Sequence, residues 1–280
     1  MDNSKKIIKY IAMIFGLVLA LGIILSIISA AYSLLSGFNF INTSNSISDN
    51  VLENAKESES ILSDTQNLYI ESSYGKVIIK NGDSFKVLSS ESNNNIKIEN
   101  DDENKTTVIK NKPKMKFFWN QNTDITIIVP ENFNFKNFEV KTGAGELEIE
   151  KINCENLKIE TGAGETVIKE MTAKNQSDIK CGAGEVVIEQ SFLNNAKIET
   201  GIGSTKFNGS LTGDCKIDCG IGEIKLELEN YENDFNYNIN KGIGEIKINN
   251  RTYSNSKLDN SATNNLVIKG GIGQITILTK

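Results

Sequence analysis

The stretch "KTGAGELEIEKINCENLKIETGAGETVIKEM" at residues 141–171 contains the tripeptide Gly-Ala-Gly twice, and its reading decides the fold. The pairs are Gly143 with Gly145 and Gly162 with Gly164. The same spelling returns at Gly182 and Gly184, then as Gly-Ile-Gly at Gly201 and Gly203, Gly220 and Gly222, Gly242 and Gly244, and Gly271 and Gly273. First glycines are separated by 19, 20, 19, 19, 22 and 29 residues. A near-fixed period of this length marks a repeat architecture. Each unit reads as strand, Gly-x-Gly, strand and polar loop. A relic precedes them in "IESSYGKVIIK", where Gly75 takes the place of the second glycine.

The columns of the repeat alternate with period two. Two residues after the second glycine stand Leu147, Thr166, Val186, Thr205, Ile224, Ile246 and Ile275. Three before the first stand Val140, Ile159, Ile179, Ile198, Ile217, Ile239 and Ile268. Such alternation with β-branched residues is the pattern of half-buried strands. The outward columns between them read Glu139, Lys158, Asp178, Lys197 and Lys141, Glu160, Lys180, Glu199. Every step from one repeat to the next pairs opposite signs, which stabilises neighbouring strands. Equivalent strands therefore stack ~4.8 Å apart. The fold class expected is all-β, a parallel β-solenoid (β-helix) of about 19–20 residues per coil. The alternation stops at Lys216 and Asp218. An antiparallel meander with Gly-x-Gly hairpins also keeps the apolar face consistent and stays open as the alternative.

Gly-x-Gly after a strand can cradle a phosphate, but a dinucleotide site needs a third glycine, a following helix and an acidic residue about 20 positions on. Strands follow here instead, so the glycines read as structural corners, where positive φ carries no penalty. Between them the residue changes from Ala144, Ala163 and Ala183 to Ile202, Ile221, Ile243 and Ile272. If it faces inward, the core is filled differently along the stack.

The 280-residue chain carries a formal net charge of −6, which argues against a nucleic-acid partner. It has no histidine, and Arg251 is its one arginine. The commonest general acid–base and the commonest zinc ligand are therefore missing.

Residues 11–38 carry no charge. About 20 apolar residues cross a bilayer, so this run is read as a transmembrane anchor at residues 10–38. A cleaved signal peptide ending near Ser29-Ala30-Ala31 is the rival, but its apolar core would be only about 7–15 residues long. Lys5, Lys6 and Lys9 place residues 1–9 in the cytoplasm and the remainder outside, a single-pass cell-membrane topology. The small-residue ladders Ala12, Gly16, Ala20 and Gly22, Ser26, Ala30 suit helix association and a membrane-protein partner. Residues 39–66 read as a polar stalk, with a short helix around Val51, Ala55 and Leu62. Residues 67–137 read as an irregular β cap region and 138–280 as the repeats, since terminal units of solenoids are atypical. The last coil has no evident cap. An uncovered edge there would pair with another chain, so self-association through the C-terminal coil is expected, with Ile275 and Ile277 in the contact.

An N-terminal anchor followed by repeats such as "IETGAGE" and "IDCGIGE" resembles the bacterial membrane-anchored "putative adhesin" family of β-strand-repeat domains of unknown function. The resemblance covers about residues 67–280. It implies a repeat fold and a relation to accessory proteins of cell-envelope stress responses. It brings no catalytic residues.

Three candidate sites remain. Glu146, Glu165 and Glu185 share an outward column continued by Glu223 and Glu245, and hard oxygen ligands in a row are a weak candidate for Ca²⁺; a solvated, lysine-offset column is the simpler reading. Cys181 and Cys219 lie two coils apart, roughly 9.6 Å by the strand spacing, too far for a disulfide. Cys215 reads as core and Cys154 as loop, and at least three of the four cysteines read as buried free thiols. Lys112, Lys114, Lys116, Phe117, Phe118 and Trp119 form the candidate contact surface, for anionic headgroups, wall polymer or the cap. No cofactor and no catalytic constellation is expected. The function expected is a non-enzymatic membrane-tethered extracytoplasmic scaffold or accessory protein, in envelope-stress sensing; the alternative is a surface adhesin for polysaccharide or cell-wall material.

Overall fold

Inward apolar and outward polar residues alternate along each core strand, and the pairing registers show how those strands meet. The computed structural model describes residues 55–58, 64–90, 96–112, 124–254 and 256–280. In chain order the strands are β1 (Ala55–Ser58), β2 (Asn67–Tyr74), β3 (Val77–Gly82), β4 (Lys86–Ser90), β5 (Ile96–Asp101), β6 (Thr106–Asn111) and β7 (Ile125–Pro130). Then come β8 (Asn134–Asn194), β9 (Ala196–Thr212), β10 (Asp214–Leu228), β11 (Phe235–Ile248), β12 (Arg251–Tyr253), β13 (Ser256–Leu258) and β14 (Asn264–Leu278). Strand β8 is 61 residues long and winds through the first Gly-Ala-Gly repeats. Among the described residues no helix is long and apolar enough to cross a membrane. The tail, the anchor and most of the stalk expected at residues 1–66 lie outside them.

Parallel pairing decides between the solenoid and the meander. Strands β8 and β9, β9 and β10, β10 and β14, and β11 and β14 are all parallel, with corner glycine on corner glycine. The domain is all-β and β-solenoid-like. The charge columns read from the sequence are the columns observed: Asp178 pairs with Lys197 and Lys180 with Glu199, while Lys158 lies 3.2 Å from Glu139. Where the alternation stops, Lys197 meets Lys216 and Glu199 meets Asp218. There each lysine turns along its own strand instead, Lys197 onto Glu199 at 2.8 Å and Lys216 onto Asp218.

The order of coils in space departs from the order in sequence at both ends. β14 lies between β10 and β11, paired with each in parallel. Ile275 and Ile277 are buried there, so the uncovered edge expected at the last coil does not exist. Coil β11 ends the stack instead, closed by the short antiparallel strands β12 and β13. At the other end β2 and β3 lie between β8 and the later pair β6 and β7. Antiparallel β5 and β4 close that face, and β1 pairs with β4. The region expected as an irregular cap thus contains two further coils. Residues 55–58, where the expected short helix would lie, form a strand because the edge of β4 offers backbone partners.

Each coil also has a third buried side that the sequence reading took for loop. Ile152, Cys154, Met171, Ala173, Leu193 and Leu211 lie on it, all 2 % exposed or less. Cys154 is therefore core and not loop, packed in strand β8.

An asparagine column binds the coils along one corner. Asn67 donates to Thr106 Oγ1 at 3.2 Å, Asn137 to Asn67 Oδ1 at 2.6 Å and Asn156 to Asn137 Oδ1 at 3.0 Å. Further along, Asn265 donates to Asp214 Oδ1 at 2.7 Å and Asn236 to Asn265 Oδ1 at 3.1 Å. Stacked amides satisfy each other at the strand spacing, as they do in other in-register parallel sheets.

Candidate functional site

The Gly-x-Gly edge is the most repeated feature of the surface. The second glycines, from Gly145 to Gly273, have φ between 129° and 145°, a region that L side chains avoid. The first glycines are needed for contact. A Cβ on Gly201 would stand 2.4 Å from the carbonyl oxygen of Gly182, and one on Gly203 1.7 Å from that of Gly184. Both positions let one backbone lie on the next. All the corner glycines named from the sequence stack in this way, and strands continue on either side.

The residue between the glycines faces outward, contrary to the inward placement considered for it. The flanking residues fill the interior: Thr200 and Thr205 share a hydrogen bond of 2.6 Å across the bend, and Thr166 donates to Thr161 at 3.3 Å. Ile202, Ile221, Ile272 and Ile243 are 50, 48, 51 and 71 % exposed. They stand in register, Ile202 on Ile221 on Ile272 on Ile243, and continue the column of Ala183.

The glutamate column does not form a ligand set. Glu146 lies 3.2 Å from Lys76 and Glu185 lies 2.7 Å from Lys206. Glu165 stands between them. Burial pushes its carboxyl up, and the charges of Glu185 and Glu146 push it further. Burial opposes ionisation of Glu148 too, but Lys169 and Lys76 outweigh it and hold that carboxyl below its usual range. Among the described residues no group of His, Cys, Asp and Glu could hold a metal ion. Lysines of neighbouring coils, Lys76 and Lys206, hold oxygens of Glu146 and Glu185, while Glu165 has carboxylates on either side.

Lys112 pairs with Glu71 at 2.9 Å. Lys114, Lys116, Phe117, Phe118 and Trp119 lie outside the described residues.

All four cysteines are free and buried. Burial pushes the Cys154 thiol up to about 12 and the Cys215 thiol up to about 11. Thiols so placed are poor nucleophiles. The surface clefts described among these residues are small. One of about 210 Å³ is lined by Tyr69 and by Asn137, Glu139, Asn156, Lys158 and Asp178, the last five already engaged with neighbouring side chains. Burial opposes the charge of Glu139, but Lys141 and Lys158 hold its carboxyl below the usual range.

The asparagine column is the feature that residue reading missed. It was visible six residues before each first glycine, as Asn137, Asn156, Gln176, Asn195, Asp214, Asn236 and Asn265.

A family model described as Toastrack DUF4097 matches residues 60–265, and the chain belongs to that family. Two solved structures are similar. A "putative cell adhesion protein" from Clostridium sporogenes is 17 % identical, with a TM-score of 0.39 over 81 % of this chain and 100 % of that one. A "putative adhesin" from Bacteroides fragilis is 14 % identical, with a TM-score of 0.35 over 80 % of this chain and 97 % of that one. No curated protein matches the chain.

Proposed function

We propose that this Toastrack DUF4097 protein is a non-enzymatic scaffold or accessory protein, tethered to the cell membrane by residues 10–38 with its β-solenoid-like domain outside. The observation that carries this reading is how the charged groups are used. Acids and lysines engage each other in ladders across coils and along strands, as Glu139 does with Lys141 and Lys158 and Glu148 with Lys76 and Lys169. Such ladders stabilise a rigid body and leave those groups committed to one another. A signal of envelope stress would pass through a membrane partner of the anchor. The small-residue faces of residues 12–30 supply a surface for it.

Crosslinking of the tagged full-length protein in intact cells tests this. Capture of a membrane protein through the anchor supports the accessory role. Capture of wall polymer, or of the protein's own copies alone, overturns it in favour of an adhesin or a structural coat.

A further inference from the structure

The cleft of about 210 Å³ beside the amide column leaves polar groups unused. Most of its charges are committed. Glu139 holds Lys141 at 2.9 Å and Lys158 at 3.2 Å, and Asp178 holds Lys180 at 3.3 Å through one oxygen. Three groups in the lining are not committed. Among the described residues nothing bonds the hydroxyl of Tyr69 or the side-chain amide of Gln176. The second carboxylate oxygen of Asp178 is buried in the cleft wall without a partner. A donor that enters the cleft would satisfy it.

Gln176 is a departure from its column. Asn156 donates to Asn137 and Asn137 donates to Asn67, so one asparagine per coil continues the ladder. The longer glutamine at position 176 stops it, and Asn195 in the next coil turns its amide to the carbonyl of Asn175 instead. The fold is served by asparagine in this column, so the exposed glutamine is a property of the surface. Its amide offers two donors and an acceptor at the cleft.

The free groups select a neutral, hydroxyl-rich ligand. An anion would meet the carboxylates of Glu139 and Asp178, and a cation would find both already paired with lysine. A sugar hydroxyl donates and accepts, so it suits an amide, a phenol and a carboxylate oxygen alike. The Tyr69 ring adds an apolar face with a polar tip, suited to the C–H face of a pyranose. The cleft is smaller than the ~300–1,000 Å³ of a pocket that engulfs a drug-sized ligand, so its ligand lies along the surface. Tyr69 stands in register with Glu139, Lys158 follows on Glu139, and the stacking of Gly162 on Gly182 sets Asp178 on the next coil. Three steps of ~4.8 Å make a track of about 14 Å. Each step is close to the length of one pyranose unit, so the polar groups keep pace with an extended glycan. We infer that this cleft binds a short uncharged oligosaccharide along the stack, with one ring on Tyr69 and hydroxyls on Gln176 and the free oxygen of Asp178. The inference goes beyond the accessory reading and does not rest on it.

The test titrates the full-length protein in phosphatidylcholine nanodiscs with maltotriose, cellotriose and triacetylchitotriose, read by saturation transfer to the sugar protons. Saturable binding of at least one is expected, with a Kd on the order of 1 mM. Gln176→Ala changes an exposed side chain that bonds nothing and should weaken binding at least about tenfold at an unchanged melting temperature. Gln176→Asn, which restores the column's usual residue, should weaken it similarly. Trigalacturonate, of the same length but anionic, should bind at least about tenfold more weakly than the best neutral sugar. Failure of all three neutral sugars to bind overturns the inference. So does unchanged affinity in Gln176→Ala, which puts the sugar elsewhere, or equal binding of trigalacturonate, which removes the selection against charge. The sugars bind or fail to bind whatever partner the anchor has, so the crosslinking result stands either way.

Discussion

At one end of the stack the first described coil in sequence, β2 with β3, is second in space; at the other end the last, β14, is second from the end. The two ends reach this arrangement by different means. At the first, Glu71 stands in register with both Lys110 and Lys141, so the inserted strand attracts its neighbours on either side. At the other, Gln274 separates Glu223 from Glu245 and Thr276 separates Lys225 from Lys247. Stacked in sequence order, β10 and β11 would set glutamate on glutamate and lysine on lysine. The inserted strand there insulates. Attraction favours the insertion at one end and avoided repulsion favours it at the other. Rings plug both ends of the core, Phe85, Phe133, Phe135 and Phe138 at the first, Phe235 and Tyr237 at the other.

Charges placed inside the inserted coils test the comparison hardest. Ile277→Asp and Ile70→Asp each bury an unpaired carboxylate and should cost about 4 kcal/mol or more in denaturant unfolding. An inserted coil predicts this at both ends, whereas an open last coil would tolerate the first change. Glu71→Lys comes next. It sets three lysines in a row and should cost about 2 kcal/mol, read as a lowered unfolding midpoint. Gln274→Glu joins the two separated glutamates and should cost about 1 kcal/mol, fading in high salt, while Gln274→Lys should stabilise by about 0.5 kcal/mol. If the lysine variant is no more stable than the parent, insulation is not what β14 supplies.

The smallest effect belongs to the middle of the stack. The Glu165 carboxyl is raised in the folded protein, so its contribution is present below the unfolded value and is lost as pH rises through the folded one. Glu165→Gln should therefore stabilise at pH 7 by about 0.5 kcal/mol, with the gain vanishing below about pH 4 in thermal melts.

Much of the fold was legible in the residues because the glycine pairs number the coils and the charges between them record which strands touch. The Lys158 and Glu139 pair could be read directly. The third side of the coil could not, because no glycine marks it and Cys154 stands in a stretch of asparagine, glutamate and lysine that resembles loop. The column of amides was present but polar, and was read as loop for the same reason. The isoleucines were seen and their direction was not. A single residue between two glycines sits at the apex of a bend, where period-two counting no longer tells inside from outside. The insertion of β14 left a trace in the 22- and 29-residue spacings.

That insertion also constrains events in time. A chain that emerges from a pore amino end first produces β10, then β11, then β14, yet β11 cannot take its final place on the stack until β14 has entered between them. The coil β2–β3, by contrast, is made before β6, β7 and β8 and can receive each as it appears. The carboxy-terminal end therefore finishes late, while β8 and β9 can close as soon as they appear. Contacts that span long stretches of chain form slowly and leave strand edges open meanwhile. A newly made molecule would pass through an interval with its middle wound and its last coils still exposed.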